Sequence, residues 1–172
     1  IGIAYFLGGL IHTISSPSAA QTFDETRAYD TTPRSVSTPS GPFSAPTQQL
    51  QSIDTVAPGS AQHSIAYQYD GRGNRLSETI DGDATSYAYD AADRLTGVRY
   101  SDGSAELYGV RGDGARTELQ RFTSYPAPLQ PLGQVPAGAS LVADLLYDYD
   151  NADGLLDVTD ALGATTPYVT DP

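Results

Sequence analysis

The fold is decided by the sequence Tyr67-Gln68-Tyr69-Asp70 and by its returns further along the chain. Twenty residues later comes Tyr87-Ala88-Tyr89-Asp90, and Tyr108-Gly109-Val110-Arg111 is a degenerate third copy. Tyr147-Asp148-Tyr149-Asp150 is a fourth copy, and Tyr168-Val169-Thr170-Asp171 begins a fifth. A fixed period near twenty residues indicates stacked supersecondary units, each of which buries its apolar face against its neighbours.

Each copy predicts a β-strand that ends in a turn. Tyr67 and Tyr69 are two residues apart, so both rings lie on one face of a strand. The turns that follow the copies are Gly71-Arg72-Gly73-Asn74, Ala91-Ala92-Asp93, Gly112-Asp113-Gly114 and Asn151-Ala152-Asp153-Gly154. Second turns come midway, at Asp81-Gly82, Asp102-Gly103 and Leu162-Gly163, and Asp-Gly predicts a two-residue hairpin loop. The carboxylates of Asp70 and Asp90 are expected to accept hydrogen bonds from their turns. The predicted fold is therefore all-β, an antiparallel sheet of consecutive β-hairpins.

These copies resemble the YD repeats of the Rhs and teneurin families, which also occur in the shell-forming components of insecticidal Tc toxins. The resemblance is close from Ala66 to about Leu119 and more degenerate from Leu146 to Pro172. The departures are Asp93 and Asp153 in place of Gly, and Arg111 in place of Asp. The repeat-defining structural residues are Tyr67, Tyr69, Asp70, Gly73, Tyr87, Tyr89, Asp90, Tyr108, Gly114, Tyr147, Tyr149 and Asp150.

The resemblance implies a strip of β-sheet that spirals into a hollow shell. In the bacterial members the shell encloses a variable C-terminal toxin, which an aspartyl autoproteolysis motif releases. Neither that motif nor a toxin domain is visible in this sequence. Because the chain stops inside a repeat, at Asp171-Pro172, we expect it to be an N-terminal fragment of a longer Rhs-repeat protein.

The composition divides the chain into three parts. Residues 1–20 begin with an uncharged apolar run and end with Ser18 and Ala20, as a secretory signal segment does, which predicts export to the periplasm, the cell surface or the medium. The alternatives are a buried strand or helix of the fold and a membrane anchor. Residues 21–62 are predicted to be a largely disordered linker, since 16 of the 32 residues from 31 to 62 are Ser, Thr or Pro. Within it, Phe43, Leu50, Ile53 and Val56 allow parts to dock as an edge strand. Residues 63–172 form the repeat domain, with a Pro-rich insertion at about 117–145.

The composition also excludes several functions. The net charge is −12 and all nine basic residues are Arg, so binding to a nucleic acid is not expected. Cysteine is absent from the sequence, which excludes disulfides, thiolate catalysis and cysteine-based zinc sites. No cofactor is expected.

No catalytic or metal site is predicted. His12 and His63 lie in the apolar leader and at the end of the linker, far in sequence from a matching Ser or carboxylate pair. Asp148, Asp150, Asp153 and Asp157 are similar to a calcium loop, but Ala152 and Thr159 stand where further ligands are needed, so turn-capping aspartates are the favoured interpretation.

Two further motifs have a structural explanation as well as a functional one. Arg111-Gly112-Asp113 spells an integrin-recognition tripeptide, yet it falls in the turn position of its own repeat. Arg75, Arg94 and Arg116 recur at equivalent places, and we expect them to pair with carboxylates of adjacent repeats.

The expected function is a non-catalytic scaffold or shell segment of an exported Rhs-type protein. Its expected partners are further YD repeats of the same protein or a second copy through open strand edges, with a toxin domain or a surface glycan as further partners. The alternative is a surface binding module in which a tyrosine-rich sheet face engages a glycan or a protein.

Overall fold

The computed structural model describes residues 2–5, 11–18, 21–30, 33–38, 41–46, 48–56 and 62–168, and all regular structure in these ranges is β-strand. The strands are β1 (Gly2–Tyr5), β2 (Ile11–Ser18), β3 (Gln21–Tyr29), β4 (Pro33–Thr38), β5 (Gly41–Pro46), β6 (Leu50–Val56), β7 (His63–Tyr69), β8 (Arg75–Ile80), β9 (Asp83–Tyr89), β10 (Leu95–Arg99), β11 (Ala105–Val110), β12 (Arg116–Ser124), β13 (Ser140–Tyr149), β14 (Leu155–Asp160) and β15 (Thr165–Pro167). The all-β antiparallel fold that the repeats predict is confirmed. Within the described ranges no helix is long and apolar enough to cross a membrane. The chain divides into two compact units, Ile1–Ala84 and Thr85–Pro172.

In the first unit six strands form one antiparallel sheet in the order β1-β2-β3-β6-β7-β8. Strands β4 and β5 pair only with each other, and β3 continues the main sheet by pairing with β6. The predicted signal segment, residues 1–20, contains β1 and β2.

The segment predicted to be a largely disordered linker contains four strands in the structure, β3 to β6. Backbone pairing explains the difference, because Ser, Thr and Pro composition predicts little burial but does not prevent a ladder of hydrogen bonds. Strand β6 lies between two partners, with Leu50 opposite Tyr29 and Ile53 opposite Ile65. Leu50 and Ile53, which the sequence suggests as anchors of an edge strand, thus belong to a strand that is paired on both sides.

The second unit is a meander in which each strand pairs with the next, from β9 to β15. Successive connections therefore alternate between the two ends of the strands. The turns 90–94, 111–115 and 150–154 lie at one end of the sheet. The turn 100–104, the β12–β13 connection and the turn 160–164 lie at the other end.

The β12–β13 connection is the longest of the second unit, residues 125–139, and we call it the strap. The sequence predicts an insertion at about 117–145, but both of its ends are strand. Thr117 to Ser124 belong to β12, and Ser140 to Leu145 belong to β13. These residues pair across the sheet, with Leu119 opposite Leu145 and Gln120 opposite Asp144. The insertion is therefore confined to the strap.

The strap covers one face of the sheet and completes a small core. Ala105, Leu107, Phe122 and Tyr125 are buried together, and the partly buried Leu129, Leu132 and Ala139 of the strap pack against them. The rings of Phe122 and Tyr125 meet edge to face at 4.9 Å. The backbone amide of Tyr125 donates to the carbonyl of Gly103 at 2.8 Å, and Arg99 Nε donates to the carbonyl of Tyr125 at 2.8 Å. The start of the strap, at Tyr125, is thereby held to β10 and to the turn between β10 and β11.

Candidate functional site

One turn design recurs through both units. In the described part of the chain six turns share a five-residue pattern in which the first residue accepts a hydrogen bond from the backbone amide of the fourth. The first amide also donates to the carbonyl of the fifth. The fourth residues all have positive φ, and they are Gly73, Asp93, Gly103, Gly114, Asp153 and Gly163. This is a three-residue hairpin loop that closes with a bulge. Asp93 and Asp153, which depart from the family pattern, adopt the left-handed conformation in place of Gly, with φ of 62° and 63°.

The first residue of most of these turns is an aspartate that holds the turn from inside, as the sequence predicts for Asp70 and Asp90. Asp70 Oδ1 accepts from the amides of Arg72 and Asn74 at 2.8 and 2.9 Å. Asp90, Asp150 and Asp160 make the equivalent pairs of bonds. Hydrogen bonding to the Asn74 side chain and to nearby amides holds the pKa of Asp70 below its usual value.

Two of the six turns have no aspartate at the first position of the turn, but each has one at the third position. Arg111 begins one of them, and Asp113 Oδ1 accepts from the amide of Ala115 at 3.0 Å. Tyr100 begins the other, and Asp102 Oδ1 accepts from the amide of Ser104 at 2.8 Å. The departure at Arg111 is therefore compensated two residues later within the same turn.

The Asp-Gly pairs form two different turns. At Asp81-Gly82 both residues have positive φ, 51° and 96°, which is the two-residue loop that Asp-Gly predicts. At Asp102-Gly103 only the glycine has positive φ, and the pair occupies the third and fourth places of the five-residue turn. The prediction of a two-residue loop is wrong there, because Asp-Gly satisfies both geometries and the flanking register selects between them.

The tyrosines pack along one face of the second unit's sheet. Val98, Tyr108 and Leu119 are buried together, and the partly buried Tyr87 and Tyr147 pack against them with Leu95, Val110 and Leu145. The first tyrosine of each of three copies thus contributes to one apolar cluster. In the first unit the rings of Tyr67 and Tyr69 lie 6.3 Å apart, so both project from the same face of β7. Apart from Tyr168, the fifth copy lies outside the described residues.

Arginines cover several of the tyrosine rings. The guanidinium of Arg116 lies 4.2 Å from the ring centroid of Tyr108. Arg75 lies over Tyr67, and Arg111 lies over Tyr149, each at 5.4 Å. Burial, followed by the bond to Glu106, raises the pKa of Tyr108, whose hydroxyl donates to Glu106 Oε2 at 2.6 Å. The hydroxyl therefore stays protonated and serves as a structural donor.

Arginine side chains also link the turns at one end of the second unit's sheet. Arg94 Nη1 donates to the carbonyl of Arg111, and Arg111 Nη2 pairs with Asp153. Three consecutive turns at that end are thereby joined through two arginines. Arg94 also pairs with Asp90 of its own turn, and Arg75 pairs with Glu78. These two ion pairs lie within single repeats, whereas the sequence predicts pairs between adjacent ones.

The motifs with a second interpretation are used structurally. Arg111 Nε donates to Asp113 Oδ2 at 2.6 Å, so the two charged ends of the integrin-type tripeptide bind each other. Of the four aspartates similar to a calcium loop, Asp150 caps its turn, Asp153 pairs with Arg111, and Asp148 lies opposite Asp157 on the next strand. Their carboxylates serve different contacts and do not converge on one point.

One of the two histidines, His63, lies beside a carboxylate that is distant from it in sequence. His63 Nδ1 lies 2.8 Å from Asp81 Oδ2, and both side chains are exposed. The same aspartate accepts from the amide of Ser64 at 2.8 Å, so the contact closes the end of β7. Across the residues that the structure describes, no group of three or more His, Cys, Asp or Glu side chains could hold a metal. A groove of about 420 Å³ beside the strap is lined by residues that include Tyr89, Leu129, Leu132 and the turn-capping Asp90.

The strap-covered face is a feature that the sequence analysis missed. Two of the sheet residues on which the strap packs are glycines, Gly97 and Gly109. A Cβ at Gly97 would lie 3.0 Å from Leu107 and 3.6 Å from Leu129, and a Cβ at Gly109 would lie 3.2 Å from Leu132. Gly109 stands inside the third repeat copy, where the alternation of large and small residues at Leu107 and Gly109 is the available sequence signal for a covered face.

Comparison with known proteins agrees with the repeat pattern. Residues 69–105 match the model of the RHS Repeat family. No curated protein matches the sequence. A crystal structure of TcdB2-TccC3-Cdc42 is similar to 96% of this chain with 14% identity and a TM-score of 0.49, and the match covers 9% of that chain. A crystal structure of TcdB2-TccC3-TEV is similar to 90% of this chain with 11% identity and a TM-score of 0.35, covering 11% of that chain. This chain thus spans about a tenth of the length of the chains it matches.

Proposed function

We propose that the chain is a non-catalytic structural scaffold, a segment of the shell of an exported Rhs-type protein that serves in toxin delivery or at the cell surface. The observation that carries the proposal is the repeated five-residue turn, joined to the next turns at the same end of the sheet by Arg94 and Arg111. A strip of hairpins built in this way extends by adding repeats, since each repeat presents the same strand edge and the same turn to the next repeat. The match of residues 69–105 to the RHS Repeat family supports this role.

The side chains that carry the repeat are committed to internal contacts. The aspartates bond their own turns, Tyr108 is buried, and Arg116 lies over its ring. A glycan-binding face needs aromatic rings that are free for stacking on one side. The contacts of these residues therefore favour a scaffold over the alternative of a glycan-binding module. The partners of the scaffold are further repeats of the same protein, a second copy of the chain or an enclosed toxin domain.

The test is the intact mass and the N-terminal residue of the native gene product in secreted, periplasmic, membrane and cytosolic fractions. We expect an exported product that carries many further repeats, with the signal-like segment 1–20 removed before Gln21. The control is a cytosolic marker protein, which must stay out of the exported fractions. A product found only in the cytosol would contradict export. Hydrolytic turnover that persists through purification of the chain would contradict the non-catalytic role.

A further inference from the structure

A cavity of about 270 Å³ lies beside the turn 111–115 of the second unit. The residues that line it are Arg94, Leu95, Tyr108, Val110, Gly114 and Arg116. Two of these residues are arginines and none is Asp or Glu, although the whole chain has 21 acidic residues and nine basic ones. The lining is thus positive on a protein whose net charge is −12. We call this site the two-arginine cavity.

Arg116 is held in the two-arginine cavity by two tyrosines. Its guanidinium carbon lies 4.2 Å from the ring centroid of the buried Tyr108, and its backbone carbonyl accepts from the hydroxyl of Tyr149 at 2.8 Å. The side chain is exposed, so a ligand reaches it from solvent. Because the N–H donors of a guanidinium lie in its own plane, a ring that packs on its face leaves them available to an acceptor.

The charge of Arg116 is not neutralised by a carboxylate of the described residues. The sequence predicts such a partner in an adjacent repeat, but within the described ranges the Arg116 guanidinium forms no ion pair. The nearby carboxylate of Glu106 accepts from the hydroxyl of Tyr108 at 2.6 Å and from Arg121 Nε at 2.9 Å. Arg116 therefore presents a positioned cation whose donors can bind an anion from outside these ranges.

Arg94 brings a second fixed cation to the same cavity. Its Nε and Nη2 bind Oδ2 of Asp90, each at 2.7 Å, and its Nη1 donates to the carbonyl of Arg111. These contacts hold the side chain in place and use three of its five N–H donors. Arg94 thus keeps donors for a ligand without having to leave Asp90.

The rest of the lining is apolar. Leu95, Val110 and the Tyr108 ring belong to the hydrophobic cluster on this face of the sheet. A ligand with a short hydrocarbon body buries apolar surface against them, whereas inorganic phosphate has no such surface to bury. The volume lies below the range of about 300–1,000 Å³ that drug-sized ligands occupy, so the fitting ligand is a smaller molecule or a single side chain.

We propose that the two-arginine cavity binds a small organic carboxylate, with Arg116 as its main contact. The planar guanidinium matches a carboxylate in a pair of parallel hydrogen bonds, and Arg94 adds a second positive charge. The hydrocarbon part of the ligand packs against Leu95 and Val110. The carboxylate comes from a free acid or from a glutamate side chain of a peptide, since both present the same group. This binding activity goes beyond the scaffold role and does not depend on export.

The probe is hexanoate, titrated into the full ¹⁵N-labelled chain at pH 7 and constant ionic strength. The Nε–Hε resonances of the arginines report binding by NMR. We expect a saturable shift of the Arg116 resonance with a Kd of about 1 mM, as for a ligand of this size. Hexanamide, which is the neutral analogue, and inorganic phosphate should each bind at least 10-fold more weakly.

A second titration distinguishes the two sources of the carboxylate. The probe is N-acetylglutamic acid α-amide, which presents a glutamate side chain between two peptide groups. Tighter binding than that of hexanoate would assign the cavity to a peptide glutamate, and weaker binding would assign it to a free acid.

The variants assign the signal to the cavity. We expect Arg116→Gln to weaken hexanoate binding at least 10-fold. Arg116→Lys should weaken it several-fold, because an ammonium lacks the planar pair of donors, and it replaces Arg116→Gln if that variant fails to fold. The matched control is Arg75→Gln at the equivalent place of the first copy, where the guanidinium is paired with Glu78. This control should change Kd less than twofold, and circular dichroism checks the fold of each variant.

Three results would overturn the proposal. The first is an absence of saturable hexanoate binding up to about 20 mM. The second is equal affinity of the parent and Arg116→Gln, which would place the ligand elsewhere. The third is an equal loss in Arg75→Gln and Arg116→Gln, which would indicate a general effect of net charge. These results concern the cavity alone, because export and repeat number are measured by the separate mass experiment.

Discussion

The two units of the chain use the same strands and turns, but they differ in how much they bury. Among the described residues of the second unit seven hydrophobic residues are buried, and all lie between Val98 and Tyr125. In the described part of the first unit no hydrophobic side chain reaches that level, and the buried residue there is Asp30. Four of the seven are buried where the strap supplies a second layer over one face of the sheet, and the other three, Val98, Tyr108 and Leu119, pack with tyrosines on the opposite face. A hairpin ladder therefore sets register by its turns, whereas a core requires a covering layer.

The comparison predicts that the same kind of truncation has unequal effects in the two units. Leu107→Ala in the second unit removes a fully buried side chain and is expected to lower the free energy of unfolding by about 2–5 kcal/mol. Leu76→Ala in the first unit removes a side chain that is 42% exposed and should cost less than about 1 kcal/mol. Urea unfolding followed by tyrosine fluorescence measures both. Equal losses in the two variants would contradict the assignment of the core to the second unit.

A substitution at Gly109, on which the strap packs, should have the next largest effect on stability. A Cβ at Gly109 would lie 2.8 Å from Thr117 Oγ1, 3.0 Å from Glu118 Cβ and 3.2 Å from Leu132. We expect Gly109→Ala to destabilise the chain by about 1–3 kcal/mol, because Thr117 and Glu118 of the neighbouring strand β12, and Leu132 of the strap, must move away. The matched control is Gly71→Ala in the first unit, where a Cβ meets nothing within 4 Å. A stability of Gly109→Ala equal to that of the control in urea would show that β12 and the strap do not pack closely against this glycine.

A Gly→Ala substitution in a turn should lower stability where the glycine has a positive φ, even if there is space for the side chain. Gly114 has φ of +99° with nothing within 4 Å of a Cβ, and Gly112 of the same turn has equal space without a positive φ. We expect Gly114→Ala to cost about 1–2 kcal/mol and Gly112→Ala to stay within about 0.5 kcal/mol of the parent. Thermal unfolding of the pair distinguishes them. Equal midpoints would mean that the left-handed residue is not required at the fourth place of the turn.

The smallest expected effect is the loss of stability at low pH that comes from Asp113 in the turn 111–115. The hydrogen bond from Arg111 lowers the pKa of Asp113 to about 2, from an ordinary value of 3.8. A lowered folded-state pKa contributes stability above the unfolded pKa, and this contribution disappears as the pH falls from about 4 to about 2. Asp113→Asn should therefore lose less stability than the parent over this interval, measured as thermal midpoints at fixed ionic strength. Parallel pH profiles for the two chains would contradict the ion pair.

Much of the fold could be predicted from local sequence signals. The tyrosine spacing identifies the strands, and the Asp and Gly positions identify the turns, because turn chemistry depends on a few adjacent residues. The strands of the predicted linker could not be foreseen, since Ser, Thr and Pro composition reports apolar content and not pairing partners. The sequence predicts the strap only as part of a longer insertion, because apolar residues such as Leu129 and Leu132 join a core only against residues of distant strands.

The cross-strand pairing of Gln120 with Asp144 lies beyond what the sequence can indicate. Gln120 and Asp144 are 24 residues apart, and the strap between them has no regular spacing from which the register of β12 and β13 could be counted. The register also shifts within the pair of strands, between Arg121 and Phe122. A site formed by cross-strand neighbours depends on such shifts, because one residue of slip moves a side chain to the other face.

Amide hydrogen exchange of the full chain, measured by mass spectrometry, tests most directly the claim that the strap-covered sheet is the stable centre of the scaffold. We expect the slowest exchange in β11 and β12 and at the amide of Tyr125, and faster exchange in β7 and β8, whose turns are similar but whose described residues include no buried hydrophobic side chain. Exchange in β7 and β8 as slow as in β11 and β12 would contradict the claim. So would rapid exchange at Tyr125, because its bond to Gly103 closes the strap onto the sheet.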